Sequence, residues 1–152
     1  TVNFSIGQGF LEANPIEVLL LINVFASDGY LVKPSFLKQI GTKPWSSVEK
    51  TFLNISEKSL ESVKKGLRMA VSAPAGTARL LNQLEFSVSG KTGTAQTKGP
   101  AHGWFVGYFP YKNKRYTVCT LLEHSSSSSE AVKITYRFLK QVQNQDLLKN
   151  EN

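Results

Sequence analysis

The chain has 152 residues, of which 41% are hydrophobic and 11% aromatic, a composition that suits one globular domain and argues against disorder. The formal charge of +7 at pH 7 admits anionic partners, but the lysines are scattered, and we interpret them as a solvated basic surface rather than a nucleic-acid interface. The single cysteine excludes an intrachain disulfide, and no run reaches the roughly 18 apolar residues of a membrane span.

The opening residues TVNFSIGQG contain neither an initiator methionine nor the basic region of a signal peptide, so we expect the chain to begin inside a domain. A first helix is predicted from Asn14-Pro15-Ile16-Glu17, where asparagine caps, proline suits the first helical position and glutamate completes a capping box. Its apolar residues cover nearly all sides, which predicts burial within a layered fold. The helix is expected to end before Asp28-Gly29.

The middle of the chain alternates irregular and helical patterns. The extended piece LVKP precedes residues 33–50, whose prolines and glycine predict mostly irregular structure. A second helix is predicted from Ser56 to just before Pro74, with a charge pair between Glu61 and Lys65 on its outer side. The residues expected on its inner face are Leu60, Val63, Leu67 and Ala70.

Three strand-like runs and a last helix follow. The runs cover residues 85–95, 103–110 and 115–123, and the last two form a β-hairpin around residues 112–114. Both hairpin strands are apolar on both sides, which predicts a sheet covered on both faces. A serine loop at 125–129 leads into a helix over residues 130–143. The order of elements predicts an α/β (α+β) fold with an antiparallel sheet flanked by helices.

Three interpretations compete for the tripeptide Gly90-Lys91-Thr92. A nucleotide phosphate loop needs a glycine where Glu85 stands and a helix after the lysine, and neither requirement is met. A basic edge strand without chemistry is the bland interpretation, since a three-residue match recurs by chance. The third is the Lys-Thr-Gly strand of the penicillin-recognising serine enzymes.

Several further motifs occur in the order and spacing of one family: SIGQG at 5–9, the proline-opened helix, LVKP, Gly76-Thr77-Ala78, KTGTAQ at 91–96 and GWFVGYFP at 103–110. Over nearly its whole length the chain resembles class B penicillin-binding proteins, the monofunctional peptidoglycan D,D-transpeptidases. The same motifs favour the elongation type over the division type. The resemblance implies that residues 1–152 are the C-terminal part of a penicillin-binding transpeptidase domain, with the serine β-lactamase-like fold.

The resemblance also implies roles for the lysine-threonine-glycine strand. Lys91 would supply positive field near the nucleophile and the substrate carboxylate, to which the hydroxyls of Thr92 and Thr94 would donate. Gly93 would leave room for substrate backbone, and the N–H of Thr94 would form half of the oxyanion hole. The carboxylate belongs to a D-alanyl-D-alanine stem peptide or to a β-lactam that mimics it.

The nucleophile of that family is not found in this chain. Its S-x-x-K motif precedes SIGQG, whereas the three matches here all follow it, and no S-x-N occurs. We therefore expect no turnover by this chain alone. The matches are Ser35 with Lys38, Ser47 with Lys50, and Ser62 with Lys65.

The implied partners are the peptidoglycan stem peptide, β-lactam antibiotics, the upstream half of the same domain and a membrane glycosyltransferase. The implied location is the outer face of the cytoplasmic membrane, with the anchor outside this segment. No organic cofactor is implied, and no metal, since His102 and His124 lack ligand spacing. A non-catalytic scaffold or sensor module is the alternative, although the intact strand at 91–94 counts against it. The piece alone is expected to expose a sheet edge and a helix face.

Overall fold

The computed structural model describes residues 12–45 and 48–145, so the SIGQG segment and Ser47 lie outside the described residues. In that part of the chain, the helices are α1 (Pro15–Ala26), α2 (Glu57–Ser72) and α3 (Ser128–Gln145), and a 3-10 helix spans Arg79–Gln83. The short strand β1 (Tyr30–Val32) pairs with β4 (Lys50–Phe52), and β2 (Gln39–Ile40) pairs with β3 (Lys43–Pro44). The main sheet contains β5 (Ser89–Ala95), β6 (His102–Tyr111) and β7 (Lys114–Leu122). No helix in the described ranges is long and apolar enough to cross a membrane.

The predicted start of α1 is confirmed. The Oδ1 atom of Asn14 accepts from the N–H groups of Ile16 and Glu17 at 3.0 Å each, and Glu17 accepts from the N–H of Asn14 at 2.9 Å. Such a capping box satisfies helix donors that have no partner within the helix, and the cap is worth about 1 kcal/mol. The helix ends at Ala26, and Asp28 and Gly29, both at positive φ, turn the chain away just after it.

The predicted burial of α1 within the fold is only partial for the described residues. Ile22, Val24 and Ala26 are buried, whereas Leu21 is 64% exposed. The helix contacts β7, β1, β6 and α2. Within the described part of the chain, these contacts leave the apolar side chains of Ile16 and Leu21 exposed.

The main sheet has the order β5-β6-β7 with both pairs antiparallel. A tight turn that begins with Lys112 at φ 51° joins β6 to β7, which confirms the predicted hairpin. The face that carries the fully buried Phe105 packs against α2, the 3-10 helix and α3, while α1 covers the other face. The sheet is therefore covered on both faces, as the strand composition predicts. The residues that form the main core are Val71, Ala78, Leu81, Leu84, Val88, Phe105, Phe109, Ala131, Val132 and Leu139.

Two local expectations need correction. The strand expected from Glu85 begins at Ser89, because the 3-10 helix and the turn after it occupy the preceding residues. Glu61 pairs with Lys64 at 2.9 Å and not with Lys65. Lys64 is oriented by a second carboxylate, that of Asp28, at 2.6 Å.

Asp28 connects three elements. Besides Lys64 of α2, it accepts from Arg115 of β7 at 2.7 Å, and the same Arg115 nitrogen donates to the Ala26 carbonyl at the end of α1 at 2.6 Å. The hydrogen bonds from Lys64 and Arg115 hold the pKa of Asp28 below its usual value. This cluster fixes the end of α1 against β7 and α2.

The expected exposed sheet edge and helix face are confirmed within the described residues. β5 and β7 each pair on one side only. Beside the outer edge of β7, α3 carries Ile134 at 42% and Phe138 at 52% exposure. Such an edge with apolar neighbours is an aggregation liability until another segment covers it.

Candidate active site

The candidate site lies on β5, which carries Lys91, Thr92, Gly93 and Thr94. β5 pairs with β6, and Gly90 lies opposite Gly107 in this ladder. A Cβ on Gly90 would come within 2.6 Å of the Phe105 ring, and one on Gly107 within 2.9 Å. The pair of glycines thus makes room for a buried aromatic ring, which fixes the position of β5 just before the lysine.

The candidate side chains do not share one face of the sheet. Opposed residues of a ladder share a face: Thr92 lies opposite Phe105 and so points toward the main core. Lys91 is opposite Val106, on the other face. The lysine and the two threonines can therefore converge only around the outer edge of β5.

The main-chain groups of Thr92 and Thr94 also point to the outer edge of β5. The Ser89 carbonyl oxygen lies 2.5 Å from the Cβ position of Gly107, so it points toward β6. Because main-chain groups alternate between the two edges of a strand, those of Thr92 and Thr94 point to the outer edge. At this edge Nζ of the exposed Lys91 donates to the Thr92 carbonyl at 2.5 Å.

The hydroxyls of the two threonines are in different environments. Thr94 is exposed, whereas Thr92 is only 6% exposed and donates from Oγ1 to Oγ1 of Thr77 at 2.8 Å. Thr77 belongs to the Gly76-Thr77-Ala78 motif, for which the sequence indicated a resemblance but no role. No local pattern connects residue 77 with residue 92, so only the fold brings these hydroxyls together.

Arg68 of α2 binds the residues that lead into β5. Its Nη1 donates to the carbonyl of the fully buried Val88 at 2.7 Å, and its Nη2 donates to Asn82 at 2.9 Å. These bonds connect α2 with the 3-10 helix and with the residue directly before the strand. Arg68 therefore positions β5 without lying at its outer edge.

The far end of β5 lies next to the serine loop and the two histidines. A Cβ on Gly103, which is opposite Thr94, would lie 2.6 Å from the Ser127 carbonyl, so the loop packs on this part of the sheet. His102 accepts at Nδ1 from the N–H of His124 at 3.0 Å. The described ranges contain no group of three His, Cys, Asp or Glu side chains that could hold a metal.

Two of the three serines in the S-x-x-K matches, Ser35 and Ser62, lie in the described ranges, and both make local hydrogen bonds. Ser35 Oγ accepts from the N–H of Leu37 at 3.3 Å in an exposed loop. Ser62 Oγ donates to the Lys58 carbonyl one turn earlier in α2 at 2.7 Å. That neither serine is the nucleophile stays a prediction.

The arrangement offers a cation, hydroxyl groups and outward-pointing main-chain groups along one strand edge. These groups suit an extended ligand with a carboxylate, which can lie beside the strand as a further strand would. Gly93 adds no side chain beside Lys91, and among the described residues its Cβ position meets only Trp104, at 3.5 Å. The chemistry that this edge can perform is docking and charge stabilisation.

Comparison with known proteins gives a family match over most of the chain. The model of the penicillin binding protein transpeptidase domain family matches residues 1–142. Peptidoglycan D,D-transpeptidase MrdA of Haemophilus influenzae is 28% identical over 151 residues, covering 85% of this chain and 23% of the relative. The chain thus spans about a quarter of that relative's length.

Solved structures agree with the family match. Pseudomonas aeruginosa PBP2 in complex with WCK 5153 has a TM-score of 0.76 and 28% identity, covering 96% of this chain and 33% of that chain. Helicobacter pylori PBP2, in complex with MreC, has a TM-score of 0.77 and 25% identity, covering 94% of this chain and 27% of that chain. The predicted penicillin-binding transpeptidase fold is confirmed, and relatives named PBP2 and MrdA agree with the elongation type.

Proposed function

Because this chain belongs to the family of penicillin-binding protein transpeptidase domains, we propose that the complete protein is a serine-type peptidoglycan D,D-transpeptidase of cell elongation. Residues 1–152 are the C-terminal part of its transpeptidase domain. They dock the carboxylate of the D-alanyl-D-alanine stem and supply one oxyanion-hole donor.

The observation that carries this proposal is the outer edge of β5. The exposed Lys91 lies there beside Gly93, and the main chain of Thr94 points the same way. A stem peptide that runs along the edge would bring its terminal carboxylate to Lys91 and to the threonine hydroxyls. The carbonyl of its penultimate residue would then lie near the Thr94 N–H, which makes Lys91 and Thr94 the catalytic residues of this chain.

The proposed reaction is an acyl transfer in two steps. A serine from the upstream half attacks the carbonyl carbon of the penultimate D-alanine, and the negative oxygen that forms accepts a hydrogen bond from Thr94. The C–N bond then breaks, the terminal D-alanine leaves as its amine, and an acyl-enzyme remains. The amine of a neighbouring stem attacks this ester, which forms the cross-link and frees the serine. One oxyanion donor is worth about 10²–10³ in rate.

The proposed partners follow from this reaction. They are the stem peptide, β-lactams, the upstream half of the domain and a membrane glycosyltransferase that makes the strands to be cross-linked. The complex of Helicobacter pylori PBP2 with MreC supports the coarser proposal that the complete protein has protein partners. The proposed location is the outer face of the cytoplasmic membrane, where the substrate is found. The reaction needs no metal or organic cofactor.

Fluorescent-penicillin labelling tests the proposal. We expect the complete protein to be labelled and this chain alone to remain unlabelled. When this chain is mixed with its upstream segment, we expect the label on the upstream segment only. Lys91→Ala should lower the labelling rate at least about tenfold, since it removes the charge that docks the carboxylate. Lys98→Ala is the matched control, because Lys98 is equally exposed but lies beyond the strand.

Two results would contradict the proposal. A covalent adduct on this purified chain alone would mean that it contains its own nucleophile. An unlabelled mixture, with both pieces folded and bound to each other, would favour the scaffold or sensor module.

A further inference from the structure

Thr77 lies outside the lysine-threonine-glycine strand but next to its most buried hydroxyl. It is exposed, whereas Thr92 is 6% exposed, and their Oγ1 atoms are 2.8 Å apart. Thr77, in the turn after α2, thus reaches the candidate site from a different part of the chain. It lies on the same side of β5 as the threonine side chains.

The turn that carries Thr77 is fixed on both sides of this residue. A Cβ on Gly76 would lie 2.5 Å from the carbonyl oxygen of Ala70, so the turn packs directly on the last turns of α2. Ala78 is fully buried, and its N–H donates to the same carbonyl at 2.9 Å. Residue 77 therefore has little freedom to move, and its hydroxyl is held at a defined place beside β5.

The hydroxyls of Thr77 and Thr92 each have only one hydrogen to donate. Thr92 has one hydroxyl hydrogen, and in this structure it is donated to Thr77. Thr92 cannot donate to a carboxylate while that hydrogen is engaged. Rotation of the two hydrogens about their C–O bonds would reverse the hydrogen bond without moving heavy atoms: Thr77 would donate to Thr92, and Thr92 would donate to the ligand. Hydrogen bonds in such a chain strengthen one another.

We propose that Thr77 is a positioning residue for carboxylate docking: it holds the Thr92 hydroxyl at the edge of β5 and returns a hydrogen bond when Thr92 donates to the carboxylate of a ligand. This inference rests on the proposed function, because it assumes that the ligand carries a carboxylate. Thr77 acts through Thr92, so its effect depends on that carboxylate and on the Thr92 hydroxyl.

The test compares two acylating probes on the complete protein: benzylpenicillin, which has the carboxylate, and its methyl ester, which does not. We expect Thr77→Val to lower the rate constant of acylation by benzylpenicillin about tenfold and to leave the rate with the ester within about twofold. Thr77→Ser keeps the hydroxyl and should retain most of the rate. In a Thr92→Val background, Thr77→Val should cause no further loss.

Equal losses with both probes, or a loss that adds fully to that of Thr92→Val, would overturn the inference and leave the proposed function standing. If Thr77→Val does not fold, Thr77→Ala against Thr77→Ser gives the same comparison. Failure of the wild-type protein to react with benzylpenicillin would instead overturn the proposed function, and the inference with it.

Discussion

Replacing Gly93 with alanine separates the requirements of the fold from those of a ligand. Within the described ranges, a Cβ at this position would meet only the Cβ of Trp104 at 3.5 Å, an ordinary van der Waals contact. Alanine also restricts the unfolded chain more than glycine does. We therefore expect the free energy of unfolding to stay unchanged or to rise by about 0.4–1 kcal/mol.

Gly90, three residues earlier on the same strand, is the matched control. Its Cβ would lie 2.5 Å from the Val106 carbonyl oxygen and 2.6 Å from the ring of the buried Phe105. Neither neighbour can move cheaply, because one is strand backbone and the other fills the core. Gly90→Ala should lower the free energy of unfolding by about 1–3 kcal/mol.

The two variants should also differ in acylation. If a ligand lies alongside β5, the methyl group of Gly93→Ala takes part of its place and should slow acylation by fluorescent penicillin about 10–100-fold, or about 1.4–2.8 kcal/mol. Urea denaturation and acylation kinetics on the complete protein measure both quantities. An unchanged acylation rate in a stable Gly93→Ala protein would refute contact between the ligand and this residue. A loss of stability equal to that of Gly90→Ala would refute the packing argument.

Two further predictions concern the connections that hold β5 and β7. Asp28→Asn removes the ion pairs with Lys64 and Arg115 and should lower the free energy of unfolding by about 0.5–1 kcal/mol at pH 7, since the carboxylate is half exposed. These partners lower the Asp28 pKa in the folded state. The difference in the free energy of unfolding between the variant and wild type should therefore be complete above about pH 4 and disappear as the pH falls through the lowered pKa. Urea denaturation at a series of pH values from about 7 to 2 measures this difference. Arg68→Met should cost about 1–3 kcal/mol, measured by thermal unfolding, because the buried Val88 carbonyl loses its donor.

Both predictions have internal controls. Asn tolerates the positive φ of 56° at residue 28, so Asp28→Asn changes the charge without adding backbone strain. A pH-independent loss in that variant would contradict the role of the ion pairs. Lys65→Met changes an exposed residue of the same helix as Arg68 and should alter stability by less than about 0.5 kcal/mol. A comparable loss in both helix variants would show that the Val88 bond is not the cause.

The features predicted correctly from the sequence depend on residues that are near one another in the chain. The cap at Asn14 and Glu17 closes within three residues, and Ser56 caps α2 by accepting from the N–H of Ser59. The hairpin follows from two apolar runs around a short turn. The lysine-threonine-glycine strand could be located in the same way, because its motif and its strand pattern coincide.

Other features depend on how distant elements pack, and the sequence patterns either did not predict them or predicted them wrongly. The choice of Lys64 over Lys65 depends on Asp28, which is 36 residues away. Adjacent strand residues always point to opposite faces, but only the pairing of Thr92 with the buried Phe105 shows that Thr92, and not Lys91, faces the main core. The start of β5 depends on the 3-10 helix before it.

The sequence by itself therefore determined the family, the helix limits and the strand that carries the candidate site, since local hydrogen bonds and periodic burial are encoded in short segments. Only the tertiary structure decided that the candidate residues converge at a strand edge rather than on a face, and that the Thr77 hydroxyl lies beside that of Thr92. Such contacts exist only after helices and strands have packed, and the position of each depends on the volume and shape of side chains far away in the sequence.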